Sequence, residues 1–235
     1  MIAVDNYSSD GTAEIARKYA DKFYQKGPER SSQVNFGVSK SKGKYVYRVD
    51  SDFVVDRDVV KECVEKCEDG WDAVAVHNTS DPSVSFWSKV RKLERDCYRD
   101  DDVNVAARFF RKDVFLKAGG FDEELIAAED YDIHNRIVDG GFKVGRIKSQ
   151  EIHLGEPKSL GEIVRKHYFY GKTVSGYLKN NPGRRREQMS PIRGSYFRHW
   201  KEFLRHPILT GGFVVYQFSR FGAGGVGLLV GKVRK

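Results

Sequence analysis

Short runs of β-like apolar residues alternate along this chain with stretches of helical period. Ile2-Ala3-Val4 reads as the end of a strand, and Asp5 to Gly11 is dense in turn residues. A helix follows, with Ala13, Ile15, Ala16, Tyr19, Ala20 and Phe23 on its apolar side and Asp10 or Thr12 as its cap. A second helical stretch covers about Ser31 to Ser41. Tyr45 to Val49 predicts a strand that carries Asp50-Ser51-Asp52 at its tip, with Phe53-Val54-Val55 continuing the apolar run. Asp56 is placed to cap a helix that runs to about Glu68 and stops at Gly70. Further strands are predicted over 72–76, 106–110, 142–147 and 151–154, and helices over 84–98, 113–118 and 129–138. The alternation predicts an α/β sheet covered by helices on both faces.

The pattern changes after Pro157. Ser159-Leu160-Gly161-Glu162 is a capping box that opens a helix reaching about Leu178. Arg184-Arg185-Arg186 and an aromatic, basic stretch from Tyr196 to Trp200 follow. Ile208 to Val230 is apolar and glycine-rich, with Arg220 its one charged residue. A spanning helix needs about 20 apolar residues with few or no charges. A segment lying in a membrane interface, or a helical hairpin, fits better; a terminal helix packed on the body is the alternative. The division expected is an α/β domain over 1–157 and a helical, basic extension over 158–235.

Charge sharpens that division. The 235 residues hold 41 Lys/Arg and 33 Asp/Glu, a formal +8. From Arg184 onward there are 11 basic and 2 acidic residues, or +9, which leaves −1 for everything before. The anionic partner therefore belongs to the tail. The apolar run beside the arginines favours an anionic membrane surface over nucleic acid, which is not expected as a partner. Cys63, Cys67 and Cys97 are too few for a disulfide scaffold and read as buried thiols of a reducing compartment. No signal peptide is read at the start.

Two carboxylates at one strand tip, Asp50 and Asp52, sit where α/β sheets bind ligands. Hard oxygen ligands there suit Mg²⁺ or Mn²⁺, which suit a diphosphate. Asp5 is a second strand-tip acid before a helix start, able to contact a base or ribose. Glu129-Asp130-Tyr131-Asp132 gathers carboxylates at another helix start, and His153 ends a short strand.

In order along the chain, Asp5-Asn6-x-Ser8-Ser9-Asp10-Gly11-Thr12, Glu29-Arg30-Ser31, Gly43-Lys44-Tyr45, Asp50-Ser51-Asp52, Gly119-Gly120-Phe121-Asp122 and Glu129-Asp130 resemble the family-2 inverting glycosyltransferases. The resemblance covers about residues 1 to 155. It implies the GT-A fold, a Rossmann-like mixed sheet of nucleotide-diphospho-sugar transferases. It implies Asp5, Arg30 and Asp50 as nucleotide-sugar contacts, Asp52 and Asp50 as metal ligands with His153 as a further one, and Asp130 as the catalytic base with Glu129 beside it. The activity implied is metal-dependent sugar transfer with inversion from a nucleotide-sugar donor to a saccharide or polyprenyl-linked acceptor. Processive synthases carry Gln-x-x-Arg-Trp; Ser195 to Trp200 does not match it, so a non-processive enzyme is expected, cytoplasmic and peripheral on the inner face of the cell membrane. Relatives have a strand and helix before the Asp5 motif, and this chain opens at Met1-Ile2. The first strand and helix are therefore expected to be missing, leaving unpaired backbone in the sheet. The alternative is a truncated or inactive relative acting as a membrane-associated binding partner.

Overall fold

The computed structural model describes residues 1–233; Arg234 and Lys235 of the basic tail lie outside them. The chain opens with β1 (Ile2–Asp5), α1 (Thr12–Tyr19), β2 (Lys22–Gln25) and α2 (Arg30–Lys40). Then come β3 (Tyr45–Tyr47), β4 (Phe53–Val55), α3 (Val59–Glu68), β5 (Ala73–Ser80) and α4 (Phe86–Asp96). β6 (Phe109–Arg111), α5 (Lys112–Lys117), α6 (Glu129–Asp139) and β7 (Val144–His153) follow. The C-terminal part is helical: α7 (Leu160–Thr173), α8 (Ser175–Asn180), α9 (Arg185–Gln188), α10 (Gly194–Arg198), α11 (Trp200–Arg205) and α12 (Pro207–Val233).

Five strands form one mixed sheet in the order β3-β6-β5-β7-β4, with β5 and β7 parallel and the other pairs antiparallel. The period of two sends neighbouring residues to opposite faces. Ala73 and Phe110 pack with α2, α5 and α6 through Val38, Phe115, Ile133 and Ile137. Val74 and Phe109 pack on α3 through Val59, Cys63 and Cys67. The expected helix cover on both faces is thus present. All three cysteines are buried and reduced, and burial pushes their thiols up, Cys67 to about 11.

β1 and β2 pair with each other in parallel as a separate two-stranded sheet. Among the described residues no strand lies between β1 and β3, and both strands line one cleft of about 2130 Å³.

Several boundaries differ from the sequence reading. Phe23 is in β2, paired with Ala3, and does not continue α1. Asp56 does not cap α3; its carboxylate accepts from the Gln150 amide at 3.0 Å. The two strands expected over 142–154 are one strand, whose register with β5 shifts between Ala75 and His77.

The glycine-rich run is neither a hairpin nor a segment apart from the body. It is one helix, α12, long and apolar enough by composition to cross a membrane, and it packs along α7 and α4. Glycines allow that approach: a β-carbon at Gly171 would strike the Gly224 backbone, and one at Gly227 the Tyr168 backbone. Arg220 points inward and pairs with Glu94 at 2.8 Å. Outward, Ile208, Val214, Val215, Phe218, Val226 and Leu229 make an exposed apolar stripe, Phe218 being 79% exposed. At 1.5 Å per residue the stripe is about 30 Å long. Replacing Gly227 by Val puts a branched side chain into the α7–α12 contact. It is expected to lower stability by about 1–3 kcal/mol in urea denaturation; an unchanged midpoint would refute the backbone contact.

Candidate active site

Asp5, Arg30, Asp50, Asp52, Glu129, Asp130 and His153 all line the large cleft. Residues separated by as many as 148 positions in sequence are therefore neighbours of one space. They do not share one role.

Asp50 is turned to arginines. Its Oδ2 lies 3.4 Å from Arg48 and 3.5 Å from both Arg30 and Arg108. Burial pushes its pKa up, but the three guanidinium groups outweigh it and hold the carboxyl below its usual range. Glu129 is buried against Arg30 and lies 3.6 Å from Arg48. Burial and the neighbouring Asp130 charge still push Glu129 up. Ala128, in left-handed backbone at φ 63°, sets the turn that aims these acids at the cleft. Asp130 has no ion pair among the described residues and is only half-buried; its Oδ1 accepts from the Tyr131 amide at 2.9 Å. Of the two adjacent acids, Asp130 is the one free to meet a ligand.

Asp52 and His153 face each other at 3.0 Å, Oδ2 to Nε2. The other ring nitrogen, Nδ1, lies 2.7 Å from Glu156. Glu156 is buried, accepts from Ser80 at 2.7 Å and pairs with Arg95 at 3.3 Å. An Nδ1–H donated to Glu156 leaves the Nε2 lone pair aimed at a carboxylate. Two acceptors at that separation require a proton or a cation between them. Gly155 leaves the room, since a β-carbon there would strike Asp52 Oδ2. Among the described residues no three His, Cys, Asp or Glu side chains converge as a cage. An oxygen–nitrogen pair fits Mn²⁺ better than Mg²⁺, with remaining positions open to ligand oxygens and water.

Asp5 accepts from the Ser8 amide at 3.0 Å and from Gln25 at 3.1 Å, and the Ser8 hydroxyl bond depresses its pKa most. Its carboxylate shapes the turn and keeps limited capacity for a ligand.

The sequence reading missed Arg48, Arg108 and Glu156. Arg48 carried a signal, because at two residues before Asp50 it shares a strand face with it. Glu156 carried a weaker one, three residues after His153. Arg108 had none.

The sequence model described as glycosyl transferase family 2 matches residues 1–123. The chain belongs to this family. Among solved structures it is similar to a mannosyltransferase from Pyrobaculum calidifontis in complex with GDP-Man and Mn²⁺. The TM-score is 0.56 at 15% identity, over 100% of this chain and 66% of that one. It is also similar to residues 1–349 of TarS from S. aureus, with a TM-score of 0.50 at 13% identity over 99% of this chain and 81% of that one. At such identities the likeness shows the GT-A fold. This family member spans just under two thirds of the mannosyltransferase. No curated protein matches it.

The buried acid behind His153 sets a pH dependence. Burial opposes ionisation of Glu156, but the His153 bond, Arg91 and Arg95 depress its pKa from 4.5 to about 2. A depressed carboxylate stabilises the fold above its ordinary value and loses that contribution as pH falls through the folded one. The melting temperature is expected to drop as pH falls from 4.5 towards 2, and less steeply in Glu156→Gln. Equal slopes would remove Glu156 from this role.

Proposed function

We propose that this protein transfers a sugar from a nucleoside-diphosphate donor to an acceptor, with inversion, a divalent cation and a single addition per encounter. The observation that carries the reading is a single cleft lined by both the Asp52–His153 pair and the unpaired Asp130. Asp52 Oδ2 and His153 Nε2 would hold Mn²⁺ or Mg²⁺, which when bound stabilises negative charge on a diphosphate. Glu156 fixes the imidazole so that Nε2 faces Asp52. Asp50 and Glu129 hold Arg30, Arg48 and Arg108 at the cleft wall, where guanidinium groups meet anionic donor oxygens. Asp130 accepts the proton of an acceptor hydroxyl as that oxygen attacks the anomeric carbon. Attack from the side opposite the departing diphosphate inverts the centre. The neighbouring mannosyltransferase, solved with GDP-Man and Mn²⁺, supports this choice of ligands.

The acceptor we propose is saccharide or polyprenyl-linked and presented at an anionic bilayer. Support comes from the apolar stripe of α12 and from exposed Phe197, Trp200 and Leu204 beside Lys201 and Arg205. A second reading, a binding protein without transfer, draws on the cleft itself. Its volume exceeds the roughly 300–1,000 Å³ usual for small-ligand sites, and β1 and β3 are not bridged across it.

Two experiments test these proposals. Asp130→Asn is expected to bind UDP or GDP with Mn²⁺ as wild type does while transfer falls about 10²–10⁴-fold; Asp52→Asn should lose the Mn²⁺-dependent part of nucleotide binding. Retained turnover in Asp130→Asn would remove Asp130 as base, and nucleotide binding without turnover in wild type would favour the second reading. In flotation, wild type should rise with anionic liposomes and the Phe218→Asp/Leu229→Asp variant should stay at the bottom. Equal flotation would defeat the docking face.

A further inference from the structure

Behind the cleft lies a smaller cavity of about 240 Å³. It is bounded by β5, α4, the segment 104–108 and the start of α6. Seven of its 18 lining residues are arginines, and one, Asp130, is acidic. Asp5, Asp50, Asp52 and His153 do not line it. The cavity therefore includes the candidate base and not the candidate metal pair.

Charge matching inside it is incomplete. Arg91 and Arg220 share Glu94, which has no exposed surface. Arg95 takes Glu156, and Arg108 takes Glu151 at 2.8 Å. Arg193 is 5% exposed and has no carboxylate within salt-bridge reach among the described residues. Its guanidinium donates to the carbonyls of Ser190 and Gln188, each at 3.3 Å, and lies 4.9 Å over the Tyr98 ring. Carbonyls and a ring face carry no full charge to offset a buried cation, and Glu94, already shared by Arg91 and Arg220, acts on Arg193 only from beyond salt-bridge reach. The balance differs from one arginine to the next: burial and Arg91 outweigh Glu156 and lower Arg95 to about 10, whereas burial at Arg193 is outweighed by nearby tyrosines and Glu94, which keep it charged.

A compact dianion completes such a site, since guanidinium forks match phosphate oxygens. We infer that this arginine cavity binds a phosphate group of the acceptor, as a monoester or diphosphate, and thereby holds the acceptor beside Asp130. The inference rests on the transferase reading above and specifies its acceptor. One helix joins the two surfaces involved: α12 brings Arg220 to the cavity and its apolar stripe to the outside. That arrangement favours a lipid-borne phosphate over a soluble one.

The test is calorimetry on the full chain with farnesyl phosphate, farnesol and glucose 6-phosphate as probes, and with UDP and GDP plus Mn²⁺ in separate runs. Farnesyl phosphate should bind and farnesol should not. Binding of glucose 6-phosphate as well would keep the phosphate site with a soluble source; binding of neither phosphate, or equal binding of farnesol, overturns it. Arg193→Met should weaken the phosphate probe by about thirtyfold or more, with Arg193→Lys intermediate because it keeps the charge without the fork. An unaltered phosphate affinity in Arg193→Met overturns the assignment. So does an equal fall in UDP and GDP affinity, which would give the cavity to the donor diphosphate. If Arg193→Met does not fold by circular dichroism, the Lys variant and the wild-type contrast between farnesyl phosphate and farnesol still decide. Should the wild type bind no nucleotide, the donor reading fails while the phosphate runs remain readable by themselves.

Discussion

Glu94 has no contact with water, and the C-terminal third of the molecule is arranged around that fact. A carboxylate taken out of solvent is tolerable only when its oxygens are fully engaged. Arg91 supplies one partner from the same helix, Arg220 reaches it from α12, and the hydroxyls of Tyr98 and Tyr196 complete the set at 2.7 and 3.1 Å. Burial pushes the acid towards neutrality, yet Arg91, Arg220 and Arg193 keep it ionised. Helices far apart in sequence are thereby fixed on α4, and α4 borders the cleft. The helical part is consequently a wall of the candidate site and not an appendage to it.

The acids were legible in the sequence because they recur in order at the ends of apolar runs, as they do in the family the chain resembles; any one of them alone reads equally well as a turn or cap residue. Their counter-ions were not. Arg108 reaches Asp50 across 58 positions, and only the antiparallel pairing of β3 with β6 brings it there. Sequence order therefore identified Asp50 as a ligand-type residue, whereas its surroundings place it among guanidinium groups and leave Asp52 to face His153. β2 was lost for a local reason: Phe23 continues the helical spacing of Ala16 and Tyr19, and pairing with β1 overrides that period. α12 was left open between an interfacial segment, a hairpin and a packed helix, because Arg220 interrupts the apolar run and glycine costs a helix roughly 1 kcal/mol per residue relative to alanine. Here the same glycines let two backbones touch, a compensation invisible until the partner helix is known.

The two sheets divide the labour of the site. Asp5 belongs to the small sheet, whereas Asp50, Asp52 and His153 follow or end strands of the large one. The space between them is bordered by β1 and β3, whose facing edges carry no partner strand among the described residues. A nucleoside held by Asp5 and a diphosphate held near Asp52 would bridge sheets that share no hydrogen bonds with each other.

The glycine seam between α7 and α12 has one more consequence. Helices that adhere through exclusion of water lose their grip where the surrounding medium is itself oily. Close backbone contact works by dispersion and shape, and these persist in hydrocarbon. A contact of this kind does not depend on water around it, so the α7–α12 wall of the cleft would keep its shape in either surrounding.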